Sequence, residues 1–148
     1  MLAGGFDDRV EENARVFREL EQLIARLGVS ESVVLVKNLS SSAKLQMLQF
    51  CIALIYTPHN EHFGIVPIEA MVLGRPVVAS NSGGPRETIV DGQTGFLCSD
   101  DSASFSLAMK QLAENDQKAA AMGRAGFQRV NDLFGPKAFK RQLCNLIE

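Results

Sequence analysis

The sequence is short of the residues that mark metalloproteins and disulfide-bonded secreted domains. Its three cysteines, Cys51, Cys98 and Cys144, are an odd number without metal-ligand spacing, so they read as thiols in a reducing compartment. Two histidines, His59 and His62, with no further Cys or His clustered beside them, give no zinc motif. A strong excess of either charge is absent too. A formal net charge of −2 leaves no electrostatic footprint for nucleic acid or an anionic membrane. No apolar run approaches the length of a membrane span, and the first residues do not show the charged-then-apolar pattern of a signal peptide. Gly4-Gly5 is followed by no third glycine at dinucleotide spacing, and no Walker phosphate loop or nucleophile elbow occurs.

What is present fits one modest domain. The chain has 148 residues, 46% of them apolar, enough for a real buried core. Met1 to Gly5 reads as the tail of a strand running into a glycine turn, as though the domain began in mid-sheet. Asp7 or Asp8 can cap a long helix whose apolar residues, from Val10 to Leu27, recur at helical spacing, and Gly28 stops it. The continuous run Val33 to Val36 predicts a strand buried on both faces. Ser40 to Ser42 can cap a short helix with Leu45 and Leu48, and strands are expected at 53–56, 76–79 and 96–97. Beyond these the pattern is helical: Phe105 to Leu112 share a face, a second segment is expected to break at Gly123 and Gly126, and Pro136 opens a last helix with Phe139, Leu143, Leu146 and Ile147 on one face. Buried strands alternating with helices predict an α/β fold, a Rossmann-like, doubly wound parallel sheet with ligands at its carboxyl edge.

The chain is organised around Glu61-His-Phe-Gly-Ile-Val-Pro-Ile-Glu69. It follows an apolar run and combines a glycine, Gly64, with a proline, Pro67, that suits the first turn of a helix. Strand, glycine loop and helix in that order leave backbone N–H groups free at the helix start, a seat for phosphate. Two carboxylates beside such a seat suit a hydroxyl-rich ligand, because ionised carboxylates only accept and sugar hydroxyls donate. Alone, Glu61 reads as a loop charge and Glu69 as a complement to the helix dipole. Together with Gly64, Pro67 and a second glycine loop, Ser82-Gly83-Gly84, they read as a site. By itself Gly83-Gly84 is a plain turn into a helix, Arg86 a solvated charge, and Glu87 a helix N-terminal one.

These residues carry a family look. Glu61 to Glu69 resembles the E-x7-E signature of retaining GT-B glycosyltransferases, and Pro76-Val-Val-Ala-Ser-Asn-Ser-Gly-Gly-Pro85, Glu87 and Asp91 to Leu97 continue that pattern in register. Gly4 to Asn13 and Tyr56 to Phe63 look more specifically like the mannosyltransferases of the dolichol pathway. The resemblance covers nearly the whole chain. It implies the C-terminal, donor-binding half of a two-domain enzyme, with residues 1–148 as its single nucleotide-sugar-binding domain. It implies that Glu61 faces the donor sugar near the reacting carbon, whether as transient nucleophile or as an orienting group, and that Glu69 holds the ribose hydroxyls. His62, Phe63, Gly64 and Ile65 would meet the diphosphate or the sugar, and Ser82, Gly83 and Gly84 would shape the sugar pocket.

For the more specific resemblance the donor is GDP-mannose and the acceptor a lipid-linked oligosaccharide. The place of action is then the cytosolic face of the endoplasmic reticulum; no cofactor or metal enters. The family's basic pair for the leaving diphosphate, and its acceptor domain, have no counterpart in these residues, so the chain alone is expected not to transfer mannose. A nucleotide-sugar epimerase and a non-catalytic nucleotide-sugar-binding module remain as alternatives. The usual strand order of doubly wound folds, with the first strand central, also implies a missing first strand between residues 1–3 and 53–56. An ordered structure is expected to close that gap by pairing 2–4 with 53–56, or by strand exchange with a neighbouring chain.

Overall fold

The computed structural model describes residues 1–147. The chain divides into two compact units, Met1–Leu45 and the residues from Gln46 on, and the boundary falls within a helix.

The first unit holds strand β1 (Leu2–Gly4), helix α1 (Glu11–Arg26), strand β2 (Leu35–Lys37) and the start of helix α2 (Ser41–Phe50). β1 and β2 pair in parallel, with Leu2 opposite Leu35. Three expectations shift here. Asp7 does not cap α1: its carboxylate accepts from the Arg9 N–H and guanidinium and builds a turn, and the N-cap position falls to Val10, without a side-chain cap. β2 starts two residues later than the apolar run, and it is not buried on both faces; Val34, just before it, is 59% exposed. β1 is the strand paired with β2, and a paired strand covers an edge rather than a face. Gly28 does stop the helix, at φ +67°, a conformation glycine takes without cost. At the carboxyl end of β2, Asn38 sits at φ +51°, its Oδ1 accepting from Phe6 N–H and its Nδ2 donating to the Phe6 carbonyl, both at 2.7 Å. Lys37 Nζ lies 3.8 Å and 4.0 Å from the ring centres of Phe6 and Phe17.

The second unit is built on strands β3 (Leu54–Tyr56), β4 (Val77–Ser80) and β5 (Gly95–Cys98), all parallel, with β4 in the middle. β4 is buried at every residue, as a strand with partners on both edges and helices over both faces must be. Helix α3 (Ile65–Val72) follows β3, and the single-turn helix α4 (Pro85–Thr88) follows β4. The helices α5 (Ser102–Ala113), α6 (Asp116–Leu133) and α7 (Pro136–Ile147) complete the chain. Ser40 caps α2 through its hydroxyl, and Pro136 opens α7, as the sequence predicts. Phe139, Leu143 and Ile147 of α7 are exposed; the side chain of Leu146 lies outside the described residues.

One further expectation is corrected. α6 runs unbroken through Gly123 and Gly126. Those glycines are not breaks but clearances: a Cβ on Gly123 would overlap the Gly74 carbonyl, and one on Gly126 would press on Met71 at 3.3 Å. The absent side chains let α6 lie directly against the end of α3. Taken unit by unit, the first holds one parallel ladder, β1 with β2, and the second another, β3 with β4 and β4 with β5. No helix among the described residues is long and apolar enough to cross a membrane.

Candidate functional site

The carboxyl ends of β3, β4 and β5 lie side by side, and the segments leaving them carry the residues singled out by the sequence. The segment after β3 turns through Asn60 at φ +56° and Gly64 at φ +70° before α3 begins. Gly64 stands at the N-cap position, where no side chain caps the helix, so the N–H groups of Ile65 and Val66 point out of its first turn without a side-chain acceptor. Pro67, third in the helix, has no N–H to leave unpaired. A partial positive charge collects at this end, on the order of half an elementary charge. Glu61 precedes it on an exposed stretch; Glu69, half-buried, lies about one turn into the helix. His62 is exposed as well.

The two glycine loops are brought together, by backbone. Gly84 N–H donates to the Glu61 carbonyl at 2.7 Å. Asn60 N–H donates to Ser82 Oγ at 3.1 Å. A Cβ on Gly83, whose φ is +53°, would overlap the Glu61 carbonyl, and one on Gly84 would overlap the Phe63 backbone. So these glycines are needed where one loop lies on another, and the Ser82 hydroxyl is spent on the Glu61 loop. Sequence reading allotted all three to a ligand. In the structure their first contact is with residues 60–63, and they fix where Glu61, His62 and Phe63 stand. Phe63 is further tied by its ring, edge-on to Phe134 at 5.9 Å between centres.

Four contributors escaped the sequence reading. Tyr56, the last residue of β3, reaches the start of α3: its Cε1 and hydroxyl lie 3.3 Å and 3.5 Å from where a Gly64 Cβ would stand. Burial, and then the charge of Glu61, push its phenol above the usual range, so it stays a protonated donor near neutrality. Arg129 of α6 donates to the carbonyls of Glu87 and Thr88, both at 2.8 Å, and so caps the short α4 that carries Arg86 and Glu87 at the surface. His59 and Asp100 pair at 2.7 Å across the ends of β3 and β5. Alternation along β3 could have flagged Tyr56, since a strand's last side chain points at whatever follows. Nothing local in sequence joins His59 to Asp100 or Arg129 to Thr88. Among the described residues no group of three or more His, Cys, Asp or Glu is placed to hold a metal.

Comparison with known proteins follows the same outline. A family described as "Glycosyl transferases group 1" matches residues 3–129. The chain is 43% identical to the alpha-1,3/1,6-mannosyltransferase ALG2 of Homo sapiens over 99% of its own length, and 38% identical to that of Dictyostelium discoideum over all of it. It spans 35% of the length of either relative. Among solved structures it superimposes on sucrose-phosphate synthase from Thermosynechococcus elongatus with a TM-score of 0.81 at 29% identity, covering 99% of this chain and 37% of that one. It superimposes equally, at 25% identity, on Anabaena HepE in complex with UDP and glucose, of which it covers 39%. These similarities place the α/β fold with parallel ladders among the C-terminal domains of GT-B glycosyltransferases.

Proposed function

The chain belongs to the glycosyl transferases group 1 family, and from that we propose that it is the donor-binding part of a retaining mannosyltransferase. Its ligand is a nucleoside diphosphate sugar, GDP-mannose, and the mannose goes to a lipid-linked oligosaccharide at the cytosolic face of the endoplasmic reticulum. Its mannosyltransferase relatives support the choice of sugar. One structural observation carries the reading: the start of α3 has no side-chain cap and stands between Glu61 and Glu69, on a loop locked in place by the Ser82–Gly84 loop.

The chemistry follows from that arrangement. The N–H groups around Phe63, Gly64 and Ile65 take the diphosphate, whose negative charge grows as the sugar leaves, and the helix end favours that charge. Glu69 accepts from the ribose hydroxyls. Glu61 stands beside the reacting carbon, with His62 and the 82–84 loop around the sugar. A carboxylate held there steadies a sugar carbon that becomes electron-poor as its bond to phosphate stretches.

Calorimetric titration with GDP-mannose and with UDP-glucose tests the reading. GDP-mannose should bind the more tightly, and Glu69→Ala should weaken it by about ten- to a hundredfold, the loss of one or two hydrogen bonds to a charged acceptor. Tighter UDP-glucose binding would overturn the choice of donor, and binding of neither would overturn the reading. In the complete enzyme, Glu61→Ala should lower turnover and Glu69→Ala should raise the Michaelis constant for donor. Equal effects of each on both parameters would count against these roles.

A further inference from the structure

A ring of hydrogen bonds spans the three strand ends, and the donor reading uses one of its links, Asn60 N–H to Ser82 Oγ, but not the rest. His59 Nδ1 lies 2.7 Å from Asp100 Oδ2. The other carboxylate oxygen, Oδ1, accepts from Ser80 Oγ. Ser80 Oγ is 3.2 Å from Ser82 Oγ, and Ser82 Oγ accepts from Asn60 N–H at 3.1 Å. The path leaves the loop at His59 and returns to it at the next residue, Asn60.

The protons in the ring have one consistent arrangement. Asn60 N–H can only donate, so Ser82 Oγ accepts there and keeps its own proton to give to Ser80. Ser80 in turn gives its proton to Asp100, and an ionised carboxylate can only accept. His59 Nδ1–H donates from the other side. Every donor therefore runs toward Asp100, and hydrogen bonds aligned in one sense strengthen each other. Ser80 and Ser82 are buried, 1% and 8% exposed, so their hydroxyls have little water to turn to. Asn60 is held at φ +56°, a left-handed state that asparagine takes more readily than most residues with a side chain.

We propose that Asp100 is a positioning residue for the donor site: through His59 on one side and Ser80, Ser82 and Asn60 on the other, it fixes the backbone that carries Glu61. The proposal rests on the donor reading for its consequence, but not for its geometry. Asp100 acts by supplying the one acceptor-only group on which the ring converges, just past the end of β5, two strands away from β3.

The test is a pair of near-isosteric variants with two readouts, amide hydrogen exchange at Asn60 and Glu61 and titration with GDP-mannose. Asp100→Asn keeps the shape but puts an NH2 where one of two donors must be received. It should speed exchange of the Asn60 amide at least tenfold and weaken donor binding by a similar factor. His59→Asn keeps an N–H donor close to the position of Nδ1 and should behave as the unaltered protein in both readouts, whereas His59→Ala should resemble Asp100→Asn. A general loss of packing would speed exchange across β4 as well; confinement of the change to the loop is the expected result. Unchanged Asn60 exchange in Asp100→Asn, or equal damage from the two His59 variants, would overturn the proposal. If the unaltered protein bound no nucleotide sugar, the donor reading would fall, and the exchange rates would still decide whether the ring holds the loop.

Discussion

β1 and β4 are both short, parallel and followed by glycine-containing turns, yet they end in opposite circumstances. All three residues of β1 are exposed; all four of β4 are buried. Sequence alone does not separate them sharply, since Val33 to Val36 in the first unit is as apolar as Val77 to Ala79 in the second. The difference is partnership. β4 has a strand on each edge and helices packed around it, whereas in the first unit β1 and β2 form a two-stranded ladder, with an edge of each unpaired within that unit. An apolar run states a demand for burial; neighbours decide whether it is met.

The comparison breaks most visibly at two strand glycines. Gly95 of β5 lies opposite Val77, and a Cβ there would overlap the Val77 backbone, which has no room to yield in a central strand. Gly95→Ala should cost upward of about 4 kcal/mol, beyond ordinary overpacking because the obstacle is main chain. Gly4 of β1 has nothing within 4 Å of its added Cβ, and Gly4→Ala should change stability by no more than about 0.5 kcal/mol. Urea denaturation of both variants measures the contrast, and similar losses would contradict it.

A second pair sharpens the point with side chains. Met71, fully buried in the cluster that joins α3 to β4, should cost about 3 kcal/mol when cut to alanine. Val34→Ala, at an exposed position, should stay within about 0.5 kcal/mol by the same measurement.

The smallest effect is chemical. Burial pushes the Cys51 and Cys98 thiols above their ordinary range, so at pH 8 less of each is thiolate, the reactive form. Cys144 is exposed. One thiol should therefore alkylate quickly and two slowly, with the slow pair gaining on it as pH rises. Rapid labelling of Cys98 at pH 8, followed by peptide mapping, would show that the second unit opens more readily than its packing suggests.

The fold class, and the order of elements around the candidate site, were legible in the sequence. Local order suffices to find a strand, a glycine loop and a helix opened by Pro67, and the structure places Glu61, Gly64 and Glu69 as that order dictates. Glycines were harder, because a missing side chain does not say what comes close. Gly123 and Gly126 read as breaks but are clearances for α3, and Gly83 and Gly84 lie on residues 60–63, a contact that the sequence pattern does not announce. Asp7 shows another limit. An aspartate before a helix suggests a cap, yet Arg9, two residues on, takes its carboxylate first. Asp100 gave no signal, since its partners come from two other segments of the chain.

The clearance at Gly123 also makes α3 a length standard. One end of the helix is set at Gly64 against Tyr56, the other at Gly74 against α6. Between two such stops, inserting or deleting a single residue cannot be absorbed by sliding. It would turn the following side chains by about 100° and shift them by about 1.5 Å. An insertion between Gly64 and Glu69 would swing that carboxylate to another face of the helix while leaving composition, charge and apolar content almost untouched. The interval from Gly64 to Gly74, which contains Glu69, is thus kept by geometry at both ends. Homologous chains should tolerate substitution within it far more readily than any change in its number of residues.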